Sequence, residues 1–439
     1  MGKQILWELR KSFCRRSFLI LFAIAALLTT WLTLQSAQSD AENMPSWGYG
    51  KEYMDLVQQY EGRTSEEFDE IRAEQEALRA AHPEAYDCEA PGLSDQEYQE
   101  RVERSFAYDS FLFFLEPPNP YISPYPFFTR TYLKENSEEI DAAFCTHPDA
   151  YGVRALQKVE EWLAAEPVRT VIPPLGNQSY VTVGLLQSTD NGIVVPLFTA
   201  FLILLLAAPI YTQEAKSDMD ALLLTSRRGK RQALCAKSIA VLLSCVTLSA
   251  VLQLLQLLCY SFFFSIPWEV SFASLNDFSS YLEGAYVGLS LGQVYLIYFG
   301  LRLLGSAALG LAVMFLSSRS KNPLLPIGAG ALLYLYPFLF HAVSSRPWET
   351  LAEAVEQAGK GLPELLNWLQ AASIAGSQAG GFLNVWFGYY VNFFGCPIPA
   401  FLPAVLFSLL VILFALFTPG FYRRRHLGRS HKRKEASAC

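Results

Sequence analysis

No phosphate-cradling G-x4-G-K-[S/T] loop occurs anywhere in the chain, so it holds no nucleotide by that route. It also lacks the H-E-x-x-H pattern that binds zinc on a helix, and its one G-x-S-x-G string, Gly288 to Gly292, stands at the start of an apolar block and not at the strand-to-helix elbow that presents a serine nucleophile. The five histidines are scattered, and the eight cysteines contain no C-x-x-C pair, which leaves no metal-type spacing. The acid-rich run SEEFDEIRAEQE has the spacing of a solvated helix face rather than of paired catalytic carboxylates. No catalytic, cofactor or metal constellation remains, so the chain is read as a non-enzyme. Charge is scarce as well: 17% of residues, against about 25% in an ordinary soluble domain.

Apolar residues fill the gap, at 52% of the chain, and they are gathered in blocks of about 20, the length that crosses a bilayer as a helix. Six blocks are read as spans, at 17–35, 193–211, 238–264, 291–316, 324–343 and 398–418. The expected fold is an all-α polytopic membrane protein in the cell (plasma) membrane. Residues 1–16 form a cytoplasmic interfacial helix, with Ile5, Leu6, Leu9 and Phe13 on one side and Lys3, Arg10, Lys11 and Arg15 elsewhere. Residues 36–191 form a large, mostly helical extracytoplasmic insertion, and 192–439 carry the remaining five spans and a basic tail. The first span has a basic flank but no clean A-x-A site, so it is read as a retained anchor rather than a signal peptide.

The net charge of −7 hides a partition. Residues 36–191 hold 29 acidic and 11 basic residues. Segments 1–16, 212–237, 317–322 and 419–439 together hold 20 basic and 5 acidic. Short basic loops stay inside, which sets both termini in the cytoplasm. The tail RRRHLGRSHKRK is therefore the flank of a span and not a nucleic-acid patch.

Within the insertion, Thr64 with Glu67 and Ser94 with Glu97 have capping-box spacing. They predict helices over 65–81 and 95–115, with two more over 137–145 and 149–165. The proline- and aromatic-rich 116–128 cannot be regular helix. Cys88 and Cys145 are the two cysteines of this region and are placed to pair in an oxidising compartment. Asn177-Gln-Ser179 is a glycosylation acceptor only in a eukaryotic secretory pathway.

The stretch between the second and third spans, TQEAKSDMDALLLTSRRGKRQALCAK (212–237), is short and basic and is expected to face the cytoplasm. Residues 214–225 are predicted to form a short amphipathic helix, broken at Arg227-Arg228-Gly229-Lys230. An acid after a span, then DALLLTSRRGKRQ and a Lys opening the next span, resembles the permease subunits of the type-2, export-type ABC transporters. The family pattern runs roughly E-x3-G-x3-LLL-[ST]-x3-R-x4-K. Glu214, Leu222, Leu223, Leu224 and Thr225 match it in register, and Ser226 follows. Arg231 comes two residues later than the pattern's Arg, Lys237 follows it with one extra residue between, and Asp218 stands where many members have Gly. G-x4-G-x5-LSSRSKNP, from Gly305 to Pro323, is similar to the family as well.

The resemblance implies a transport subunit whose 212–237 loop contacts a separate ABC ATPase subunit, which uses the ATP. It implies a second permease copy or homologue in a dimer, and export of an unidentified substrate across the lipid bilayer. The alternative class is a membrane-anchored sensor or receptor with an external ligand-binding domain.

Four further points concern the spans. Pro196 and Pro209 are expected to bend the ends of the second. Gln253 and Gln256 on the third are suited to helix–helix hydrogen bonds or to lining a pathway. Arg302 sits about 20 Å from the cytoplasmic end of the fourth, a depth that marks it as a functional charge or as an Arg that snorkels outward. Glu269 and Glu283 are its candidate partners. Ser306 and Gly310 form a small-xxx-small contact face. Residues 348–357 and 363–372 read as amphipathic helices on the external surface, and the Gly-rich stretch after them as external, interfacial or re-entrant.

Overall fold

The computed structural model describes residues 2–13, 15–43, 50–63, 67–88, 90–115, 193–216, 229–263, 291–344, 361–380, 383 and 390–416. They are mostly helical: α1 (Gly2–Phe13), α2 (Arg16–Asn43), α3 (Gly50–Gln59), α4 (Phe68–Ala81), α5 (Asp95–Leu115), α6 (Val194–Ala207), α7 (Pro209–Lys216), α8 (Gly229–Phe263), α9 (Leu291–Arg319), α10 (Leu324–Ser344), α11 (Gly361–Ala371), α12 (Ile374–Gln378) and α13 (Phe401–Leu416). One antiparallel hairpin, β1 (Tyr390–Phe393) with β2 (Cys396–Pro399), departs from the all-helical expectation. Its two-residue turn, Phe394-Gly395, has both φ angles positive, the geometry that joins twisted strands most tightly.

Four stretches are long and apolar enough to cross a membrane: Arg16–Gln38, Val194–Glu214, Gln232–Phe262 and Gly292–Arg319. Leu324–Phe340 and Phe401–Leu416 are shorter apolar helices. These lengths fit a multi-pass membrane protein. The outward faces agree, since Leu27, Trp31, Leu258, Leu296 and Leu332 are all exposed apolar side chains.

Small residues set the closest approaches in the bundle. A Cβ at Gly310 would lie 2.2 Å from the Cys245 sulfur of α8, and one at Gly330 would lie 2.6 Å from a Val313 methyl. The Gly310 face expected from the sequence is thus the contact of α9 with α8. Ser306, on the same face, is fully buried against α12.

Pro196 does not bend its helix. It lies in the first turn of α6, where the backbone N–H has no intrahelical partner to lose. Pro209 does interrupt the span, dividing α6 from α7 at Ala208. Ser317 of α9 satisfies the break: its hydroxyl donates to Ala208 O (2.7 Å) and accepts the Tyr211 N–H (3.2 Å). Ser317→Ala removes both bonds, leaving Ala208 O the Thr212 hydroxyl (3.1 Å), and is expected to cost about 1–3 kcal/mol. Thermal unfolding in detergent checks this.

In the 36–115 part, α3, α4 and α5 share a separate core of Tyr53, Val57, Tyr60, Phe68, Ile71, Ala107 and Phe111. The Ser94 capping box forms: Glu97 N–H donates to Ser94 Oγ (3.3 Å), and Ser94 N–H to Glu97 Oε2 (2.9 Å). That bond holds the Glu97 carboxyl below the ordinary glutamate range. The other box differs. Glu67 precedes α4 but accepts from Arg63 across one turn, and Thr64 lies outside the described residues. Cys88 carries a free thiol rather than a disulfide, and Cys145 lies outside the described residues. So do the predicted helices at 137–145, 149–165 and 348–357 and the loop at 116–128.

Candidate functional site

Two clusters that hold buried charge stand out among the described residues. The first lies where α7 and α8 lead into the 217–228 segment. Tyr211 and Glu214 share one face of α7, three residues apart, and Lys237 comes from the third turn of α8. Glu214 is 5% exposed and Lys237 2%. One Glu214 oxygen accepts from Lys11 Nζ of α1 (2.8 Å), and the other accepts from Lys237 Nζ. The Lys237 ammonium also sits 4.8 Å from the Tyr211 ring centroid, and the Lys11 ammonium 5.1 Å from that of Trp7.

Glu8, at 8% exposure, completes the group. Burial pushes its carboxyl up, while Lys237 and Lys11 pull the other way. Two carboxylates and two lysines therefore balance in a mostly buried site, in which Lys11 is the most exposed member at 29%. Taking such ions out of water costs several kcal/mol each, so the arrangement ties helices in place rather than adding net stability.

The helix α1 that sequence periodicity lays on a membrane surface thus has a second attachment. Leu6 and Trp7 are exposed on its apolar side, but its inner side carries Glu8 and Lys11 onto α8 and α7. Glu8 was not singled out by the periodicity. Its signal is that it is the lone acid of a basic helix, three residues before a lysine. Of the predicted coupling residues, Glu214 and Lys237 meet directly. Arg231 falls in the first turn of α8, and Asp218, Leu222, Leu223 and Leu224 lie outside the described residues. Within the expected 214–225 helix, residues up to 216 continue α7, and α8 starts at Gly229, where the break was expected.

The second cluster is centred on α9, a helix of 29 residues and about 44 Å. Arg302 lies near its middle at 3% exposure, so it does not snorkel to a surface. The groups acting on it electrostatically are Tyr295 and Tyr298 of the same helix and Tyr334 of α10. Glu269 and Glu283 lie outside the described residues.

One turn away, Ser306 Oγ accepts from Gln378 Nε2 of α12 (2.8 Å). The short α12 is wholly buried, capped by Ser373 Oγ on the Gly376 N–H (2.8 Å). A Cβ at Gly305 would meet Gln378 Cβ and Ile374 O at 3.1 Å, so this glycine admits α12 against the middle of α9. Ser377 bonds Ser408 of α13 (3.0 Å).

The Gly-rich stretch therefore begins as a buried turn of helix packed against the middle of α9. The preceding α11 is amphipathic as expected: it buries Leu366 and Gln370 and exposes Leu365 and Leu369, and Trp368 Nε1 donates to Asn392 O of β1 (2.6 Å). Gln253 bonds within its own helix, to Ser249 Oγ (2.9 Å), rather than across helices.

Comparison with protein-family models, with curated proteins and with solved structures finds no match to this chain.

Proposed function

We propose that the chain is the membrane-spanning permease subunit of an ATP-driven ABC transporter. Six spans in the plasma membrane leave both termini and the 212–237 loop in the cytoplasm. A separate ATPase subunit docks on that loop and hydrolyses the ATP. A second permease completes a dimer, and the substrate moves outward.

The observation that supports this reading is the Lys11–Glu214–Lys237 tie. It joins the helices on both sides of the loop to α1, so a force on 217–228 reaches α1, α7 and α8 together. The Pro209 break gives α7 a place to pivot against α6, and Ser317 on α9 holds the joint. A loop built only to connect two spans has no need of a buried ion cluster at its base. Movement at one end of α9 would then reach Arg302 and α12 half-way along it, the region suited to meeting a substrate.

The test is a mild-detergent pull-down of the tagged protein from its native membrane. An ATP-binding subunit is expected to co-purify, and to be lost when Leu222, Leu223 and Leu224 are changed together to Asp. A preparation free of such a subunit across several detergents contradicts the proposal and favours a receptor role for the 36–191 region.

A further inference from the structure

A groove of about 320 Å3 runs between α9, α10 and α13, walled by Ala312, Phe315, Leu316, Leu333, Leu410 and Phe414. It opens on the outer face of the bundle, where Leu410 and Phe414 are more than half exposed. Its walls offer hydrocarbon and no hydrogen-bond partner, which excludes a polar soluble ligand. Phe315 and Phe414 meet edge to face at 5.0 Å and close one side.

The rim is different. The Arg319 guanidinium carbon lies 5.2 Å from the Phe315 ring centroid, about one turn beyond the groove, and Lys321 is exposed two residues later. The turn carrying them is held rigid: Ser320 Oγ donates to Asn322 O (2.8 Å), and Asn322 Oδ1 accepts the Leu324 N–H (3.1 Å). Arg319 thus lies about 10 Å along the helix from Ala312, at one end of the apolar slot, and the exposed Lys321 stands in the turn that follows. No Asp or Glu occurs in residues 291–344 or 401–416, so the helices that build the groove carry positive charge alone.

We infer that this groove is a binding site for an anionic phospholipid. One acyl chain lies between α9, α10 and α13, and the phosphate rests on Arg319 and Lys321. Basic residues at a helix end above an apolar cleft select such lipids by charge, and the cleft adds the chain's hydrophobic contribution. A second copy is the other apolar occupant available. Docked by two-fold symmetry on this face, it would set the basic rims against each other. The inference does not depend on the transport reading.

The test is native mass spectrometry of the full chain in mild detergent, incubated with phosphatidylglycerol or phosphatidylcholine. Phosphatidylglycerol is expected to be retained on the order of tenfold better, the effect of two cations at a surface. Arg319→Gln with Lys321→Gln abolishes the preference. Leu333→Trp fills the slot and lowers retention of both lipids while the melting temperature holds. Equal retention of the two lipids would mark ordinary annular lipid and overturn the site. Retention of phosphatidylglycerol unchanged in both variants would do the same. So would a cross-link between cysteines placed at Phe414 in two copies, which would show the face covered by protein.

Discussion

Glu214→Ala is expected to lower stability by about 3–5 kcal/mol, because it removes the carboxylate that pairs with the buried Lys237 ammonium. The exposed-pair estimate of about 0–1 kcal/mol does not apply, since both side chains are at most 6% exposed. Lys237→Met should cost a similar amount for the converse reason. The double variant Glu214→Gln/Lys237→Met removes both charges and leaves Glu8 opposite Lys11, so it should recover most of the loss. Thermal unfolding of the three variants in one detergent decides it. Singles that melt with the wild type would mean that water reaches the cluster. The same burial makes Glu214→Arg unsuitable for separating coupling from folding: it would gather Lys11, Lys237 and a third cation in one buried site. Leu222 to Leu224 are the better positions for that purpose.

Gly310→Ala should be the next most costly change, at about 1–3 kcal/mol, since its Cβ would lie 2.2 Å from the Cys245 sulfur. Cys245 is fully buried. Cys245→Ala in the same chain removes the clashing atom and should restore most of the loss. Gly328→Ala is the control, because nothing lies within 4 Å of its added carbon and no loss is expected. Loss at Gly328 equal to that at Gly310 would show that the helix, and not the α8–α9 contact, is what responds.

The membrane helices were legible because they rest on a signal that needs no tertiary information. Predicted 291–316 and 324–343 lie within the observed α9 and α10, and predicted 238–264 overlaps all but the first turns of α8. Those turns were missed because Lys230, Arg231 and Lys237 end the hydrophobic run, although a helix passes through charge without interruption. Asp95–Leu115 was read to the residue, owing to its capping box.

The site was less legible. Glu214 and Lys237 were marked by a resemblance, but their direct pairing and the part played by Glu8 and Lys11 are properties of three helices meeting. Gln378, the partner of Ser306, and Tyr334, which acts on Arg302 beside Tyr295 and Tyr298 of its own helix, arrive from α12 and α10, at spacings no local pattern records. The Gly305–Pro323 motif gains a physical account position by position. Gly305 admits α12, Gly310 admits Cys245, Ser317 mends the Pro209 break, and Asn322 accepts the Leu324 N–H at the start of α10. That half of the resemblance is explained by packing; the 212–237 half carries the proposed coupling.

The central claim, that the 212–237 loop receives an ATPase, is tested most directly by a photo-reactive residue placed at Leu223 in native membranes. The account predicts an adduct between this position and an ATP-binding protein, and none from the same residue at Phe262, at the far end of α8. An absence of any adduct at Leu223, in a protein that is folded and correctly inserted, would contradict it.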